Sequence, residues 1–106
     1  MQISCEAVQA KRLRGDSFVL FDCREQDEWD YCHIDGAMLI PMSELQSRVT
    51  ELEQHRDSEI IVYCHHGVRS LQVAMWLQQQ GFSHASSMAG GIEEWSLKVD
   101  QGVSRY

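Results

Sequence analysis

Residues Ile60 to Gln80 constrain this chain more than any other stretch. The run Ile60-Ile61-Val62-Tyr63 predicts a buried strand, Cys64 to Val68 a glycine-bearing turn, and Arg69 to Gln80 a helix with a broad apolar face, ended by Gly81. A turn of this kind points backbone N–H groups and the helix N-terminus at the sulfur of Cys64. That field favours thiolate over thiol. A free cysteine titrates near ~8.5, and a helix N-terminus or a nearby cation lowers this to roughly 3.5–7.5. Cys64 is therefore a candidate nucleophile. The alternative is a small hydrophobe buried at a strand end. The next five residues argue against it, since they supply two histidines, a glycine and an arginine but no large apolar side chain to pack around a thiol.

The rest of the chain alternates between strand-like and helical patterns. Ser4 is placed to cap a helix carrying Ala7, Val8 and Leu13 and ending at Gly15. Phe18 to Asp22 reads as a buried strand, Glu25 to Tyr31 as a short acidic helix, and Ala37 to Ile40 as a brief strand stopped by Pro41. Ser43 is placed to cap a helix from Glu44 to Gln54, where Leu45, Val49 and Leu52 form one stripe. A strand over Ala85 to Met88 and a helical segment over Glu93 to Lys98 complete the order, separated by Gly90-Gly91, which suits a tight turn. No repeat or linker interrupts the alternation. The prediction is one α/β domain over residues 1–106, with a mainly parallel central sheet flanked by helices on both faces. Ligands of such sheets bind beyond the C-terminal ends of the strands, where Cys64 stands.

Three segments extend the argument. Cys64-x-x-Gly67-x-Arg69-Ser70 resembles the active-site loop of rhodanese-like sulfurtransferases. Asp22-Cys23-Arg24-Glu25-x-x-Glu28-Trp29-x-x-x-His33-Ile34-x-Gly36-Ala37-x-x-Ile40-Pro41 is similar to that family's upstream signature, and Gly90-Gly91-Ile92-x-x-Trp95 to its closing element. In order, the three cover nearly the whole chain. The resemblance implies a rhodanese-like fold and a two-step sulfur transfer. Cys64 attacks the outer sulfur of thiosulfate, sulfite leaves, and the persulfide passes its sulfur to cyanide, a thiol or a protein acceptor without a cofactor. From Cys64 to Arg69 the loop counts six residues, as in that family, whereas related phosphatase loops carry one more. The shorter cradle suits one sulfur atom better than a tetrahedral oxyanion. The segment from Trp95 to Tyr106 also resembles tails of rhodanese modules that sulfurate ubiquitin-like carriers, which raises a persulfide relay as the alternative. A noncatalytic binding module is the third reading, and the presence of Cys64 speaks against it.

The other candidates divide between substrate contact and support. His65, His66, Gly67, Val68, Arg69 and Ser70 form the cradle. Arg69 can grip an anionic donor or brace the loop, and bracing is the expectation. Ser70 can bond the sulfane sulfur or simply start the helix. His65 and His66 either draw in an anion or face solvent. Behind the loop, Asp22 and Arg24 are expected to form an ion pair at the neighbouring strand end, and His33 to anchor a turn.

Composition narrows the partners. A net charge of −7 disfavours nucleic acid and anionic membranes, and no segment is apolar enough to span a bilayer. Without a basic-then-apolar leader at Met1 to Glu6, the cytoplasm is the expected compartment. The four cysteines, at 5, 23, 32 and 64, are expected to be reduced, and their spacing matches no metal-site pattern. Cys23 reads as core packing; Cys32 reads as core or as a thiol able to resolve a persulfide.

Overall fold

In a computed structural model that describes residues 1–106, Ile60, Ile61, Val62 and Tyr63 are all fully buried, so the strand they form is covered on both faces. This strand, β4 (Ile60–Tyr63), is the middle of a five-stranded, all-parallel sheet. The others are β1 (Gln2–Ile3), β2 (Val19–Asp22), β3 (Met38–Leu39) and β5 (Ala85–Met88), in the order β1-β5-β4-β2-β3. Leu20 pairs with Ile61 and Asp22 with Tyr63 across β2 and β4, and Ile61 pairs with Ser86 across β4 and β5.

Alternation along the strands divides the core into two clusters. Phe21, Ile60, Val62 and Ala85 face one way, under α3 (Leu45–Arg48) and α4 (Val68–Gln79), with Leu45, Leu52, Val73, Ala74 and Leu77 filling the gap. Leu20, Ile61, Tyr63 and Met88 face the other way, under α1 (Cys5–Arg14) and α5 (Gly91–Lys98), packed by Cys5, Val8, Ile92 and Trp95. The short α2 (Gln26–Tyr31) follows β2 in the chain and buries no residue. The expected α/β architecture with helices on both faces is what forms, and no helix is long and apolar enough to cross a membrane.

The local expectations hold where a signal is strong. Ser4 accepts the Ala7 N–H at 3.1 Å, and Gly15 ends α1 in the left-handed region, although Leu13 lies exposed. The single helix expected over Glu44 to Gln54 does not form. That stretch is a 3₁₀ turn (Met42–Glu44), then α3, then 3₁₀ winding from Val49 to His55. The β-branched pair Val49-Thr50 disfavours regular α-helix, and 3₁₀ winding still turns Leu45 and Leu52 inward. Nor does Ser43 cap a helix. Its hydroxyl donates to Glu25 Oε1 at 2.7 Å and ties this segment to the start of α2.

Candidate functional site

The chain leaves β2 toward β3 on one side and leaves β4 toward β5 on the other. The loops after these two adjacent strands therefore diverge, and the opening between them is the switch point of the sheet. Cys64 follows β4 directly and Cys23 follows β2 directly. The Cys23 N–H donates to the Tyr63 carbonyl at 3.1 Å, which continues the ladder one step past the last strand pair. At the mouth of the loop, Cys64 is only 1% exposed.

Two amides converge on its sulfur. Gly67 N–H donates to Cys64 Sγ at 3.1 Å and Ser70 N–H at 3.3 Å, and Ser70 Oγ lies 3.4 Å from the same atom. The loop reaches this shape because Gly67 sits at φ 102°, a conformation side chains with a Cβ resist. It is held from behind by α5, whose first-turn N–H groups lack helical partners. Ile92 N–H donates to the Cys64 carbonyl at 2.8 Å and Glu93 N–H to the His65 carbonyl at 3.1 Å. These two bonds pin the start of the loop to the first turn of α5. Close approach explains Gly91: a Cβ there would collide with both carbonyl oxygens.

The Cys64 thiol is pulled down to about 4. The adjacent Cys23 thiol contributes most, followed by the Ser70 hydroxyl and the Ser70 and Gly67 amides, against burial that acts the other way. With Cys64 ionised, the Ser70 hydroxyl donates to the sulfur and the Ser87 hydroxyl, 2.7 Å from Ser70 Oγ, can donate in turn. Cys5 lies in the opposite situation, pushed up to about 11 by burial and by the Glu94 charge. Cys23 is raised as well, by its contact with Cys64 and by burial.

Arg69 braces the loop. Both of its terminal nitrogens pair with Glu28, at 2.7 and 2.9 Å, in a two-bond fork. The network continues through Tyr106, whose hydroxyl donates to Glu28 Oε2 at 2.6 Å and accepts from Arg24 Nη1 at 2.9 Å. Arg24 and Asp22 form the expected ion pair, fully buried at 2.8 Å, and Arg24 Nη2 also donates to the Cys32 carbonyl at 2.7 Å. Asp22 and Arg24 thus reach the loop only through Tyr106 and Glu28. His33 stands apart from it. Its Nδ1 bonds the Trp29 carbonyl at 3.0 Å and its ring stacks on the Trp29 indole, as suits a turn anchor.

His65 and His66 lie on the rim. The His65 ring is stacked between His66 and Tyr106, at 3.9 and 3.8 Å, and its basicity is lowered by burial and by His66. His66 and Val68 are exposed, Val68 to 69%. His65, His66 and Glu93 place ligand-type atoms within 4.8 Å of one another. Stacked imidazoles, however, direct their in-plane lone pairs alongside rather than toward a common ion. Glu93 is moreover paired with Arg105.

Sequence reasoning missed Glu28, Ser87 and Tyr106 as parts of this site, and it took Cys23 for core alone. Cys32 packs against the cluster opposite to the one containing Cys64, which removes it from the resolving role considered above. The largest cleft, about 390 Å³ between Arg12, Cys32, His33, Trp95 and Val103, does not reach Cys64.

The chain is similar to known proteins over nearly its whole length. The family model for the rhodanese-like domain matches residues 6–98. A Bacillus subtilis protein named for a sulfur-carrier role, YrkF, is 33% identical over 93% of this chain, which spans 52% of that protein's length. The thiosulfate sulfurtransferase GlpE of Coxiella burnetii is 39% identical over 78% of this chain and 76% of its own. Among solved structures, a rhodanese-like domain protein from Staphylococcus aureus superposes with a TM-score of 0.84 at 25% identity, covering 99% of this chain and 97% of that one.

Proposed function

Because the chain belongs to the rhodanese-like domain family, we propose that residues 1–106 act as one sulfurtransferase domain that carries sulfane sulfur on Cys64. The observation that supports this best is the pair of amides, Gly67 and Ser70, directed at Cys64 Sγ. They stabilise a thiolate before reaction and a persulfide anion after it. The thiolate attacks the outer sulfur of thiosulfate, the S–S bond of the donor breaks, and sulfite departs. A thiophilic acceptor, cyanide or a thiol, then takes the outer sulfur and regenerates the thiolate. Two displacements through one covalent intermediate give ping-pong kinetics. Arg69, committed to Glu28, shapes the loop, while Ser70 and Ser87 supply a relay of hydroxyls to the sulfur.

A second reading is a relay to a protein acceptor. The exposed rim at His66 and Val68 beside Cys64, together with the likeness to the Bacillus sulfur-carrier protein, favours it. One experiment separates the readings. Thiosulfate should add the mass of one sulfur atom to the intact protein, peptide mapping should place it on Cys64, and cyanide should remove it. Cys64→Ser should abolish the gain, and Cys5→Ser and Cys32→Ser should keep it. Folded, reduced protein that gains no sulfur from thiosulfate but does so from a persulfidated protein would replace the enzyme reading with the relay. Gain from neither would leave a binding module.

A further inference from the structure

Cys23 is a buried nucleophile that the transfer above does not use. Parallel pairing sets it beside Cys64: Asp22 faces Tyr63 in the β2–β4 register, the Cys23 N–H bonds the Tyr63 carbonyl, and the next residue on each strand is a cysteine. Both side chains enter the same apolar cluster and therefore lie on the same face of the sheet. Adjacent strands run about 4.7–4.9 Å apart, inside the roughly 4.4–6.8 Å Cα separation that a disulfide spans.

We propose that Cys23 is a resolving thiol that discharges the Cys64 persulfide as sulfide when no acceptor arrives, leaving a Cys23–Cys64 disulfide. The proposal rests on the persulfide reading given above. In the step, Cys23 Sγ bonds to Cys64 Sγ and the bond from Cys64 Sγ to the outer sulfur breaks. The outer sulfur leaves as hydrosulfide, carrying the proton of the Cys23 thiol. The two cysteines are oxidised by two electrons and the outer sulfur is reduced by two. A dithiol reductant restores both thiols by exchange.

The arrangement also times the attack. While Cys64 is a thiolate, its charge lies against Cys23 and helps keep that thiol protonated. Once Cys64 carries sulfur, the negative charge moves to the outer atom, away from Cys23, and Cys64 Sγ becomes electrophilic. Cys23 is then beside the sulfur that it attacks, with no access from solvent required. Neither other cysteine has this placement, since Cys5 and Cys32 belong to the opposite cluster.

The test loads reduced protein with thiosulfate, removes the donor, and incubates the protein anaerobically without acceptor. Released sulfide is trapped with a bimane reagent while intact mass and linked peptides are followed. Wild type should release one sulfide for each persulfide lost and end two hydrogens lighter than the reduced chain, with a Cys23–Cys64 peptide. Cys23→Ala, once loaded, should lose sulfide release and keep its sulfane sulfur; Cys32→Ser should behave as wild type. Loaded wild type that retains its sulfur, or that releases it without the linked peptide, overturns the proposal. Failure to load from thiosulfate overturns the thiosulfate reading alone. Inorganic polysulfide then supplies the outer sulfur, and the same two products decide the role of Cys23. A chain that gains sulfur from neither overturns both.

Discussion

At Cys64 the competition is between burial, which opposes a charge, and four nearby polar groups that favour it. The polar groups win, and the thiol is held at about 4 against its ordinary value of 9.0. Alkylation by iodoacetamide, resolved by site, should therefore have its midpoint for Cys64 near pH 4 and stay flat through neutrality. Cys5, pushed up to about 11, should react only in alkali. Ser70→Ala removes a hydroxyl from the sulfur and breaks the link to Ser87. A hydrogen bond to a charged group is worth about 1.5–3 kcal/mol, so the midpoint should rise by about 1–2 pKa units. A folded protein whose Cys64 titrates near an ordinary thiol, with reagent access confirmed by full labelling at high pH, would contradict the account of the loop.

Between elements, the critical junction is where α5 meets the loop after β4. Gly91 sits at φ 61°, and an added Cβ would meet the Cys64 and His65 carbonyls; Gly15 at the end of α1 also has positive φ but open space around it. Gly15→Ala should cost about 1–2 kcal/mol for the left-handed backbone alone. Gly91→Ala adds displacement of the two amide bonds from α5 and should cost about 3–5 kcal/mol in urea unfolding. Equal costs would mean that the loop tolerates separation from α5. The contrast also marks what could be read from the chain beforehand. β2, β4 and α4 carry continuous apolar runs or a wide helical stripe, and the loop is local, so Cys64 to Ser70 was legible as a unit. β1 has two residues and no periodicity to detect. The 3₁₀ winding around Val49 preserves the same inward residues as an α-helix, so the stripe could not distinguish them. Glu28 lies 41 residues from Arg69, and Arg24 lies 82 from Tyr106, and nothing in a charge pattern selects one carboxylate or one phenol at such range. Cys23 beside Cys64 needs the strand register, which exists only once β2 and β4 pair.

At the scale of the molecule, Glu28 joins α2, the Cys64 loop and the segment ending at Tyr106, so its ionisation bears on how these parts hold together. Arg69 draws the Glu28 carboxyl down to about 2 from an ordinary 4.5, with help from the Tyr106 hydroxyl and against burial. A depressed folded-state pKa means that the unfolded chain takes up this proton first as acid is added. The contribution is therefore complete above pH 4.5, shrinks as the pH falls below that, and is gone once the pH passes through about 2. Its full size is on the order of 3 kcal/mol. Glu28→Gln keeps the shape of the side chain but removes this titration. The stability gap between wild type and Glu28→Gln, from urea unfolding, should be constant from neutrality to about pH 5 and then close by about that amount toward pH 2. Cys64 also loses its proton-linked stabilisation as the pH falls from 9.0 toward about 4, but it does so in both proteins and drops out of the difference to first order. A gap that holds constant through the acid range would show that the Arg69 fork does not favour the charged form of Glu28. Stability and loop geometry would then be independent, and Glu28→Gln should leave the Cys64 alkylation profile unmoved as well.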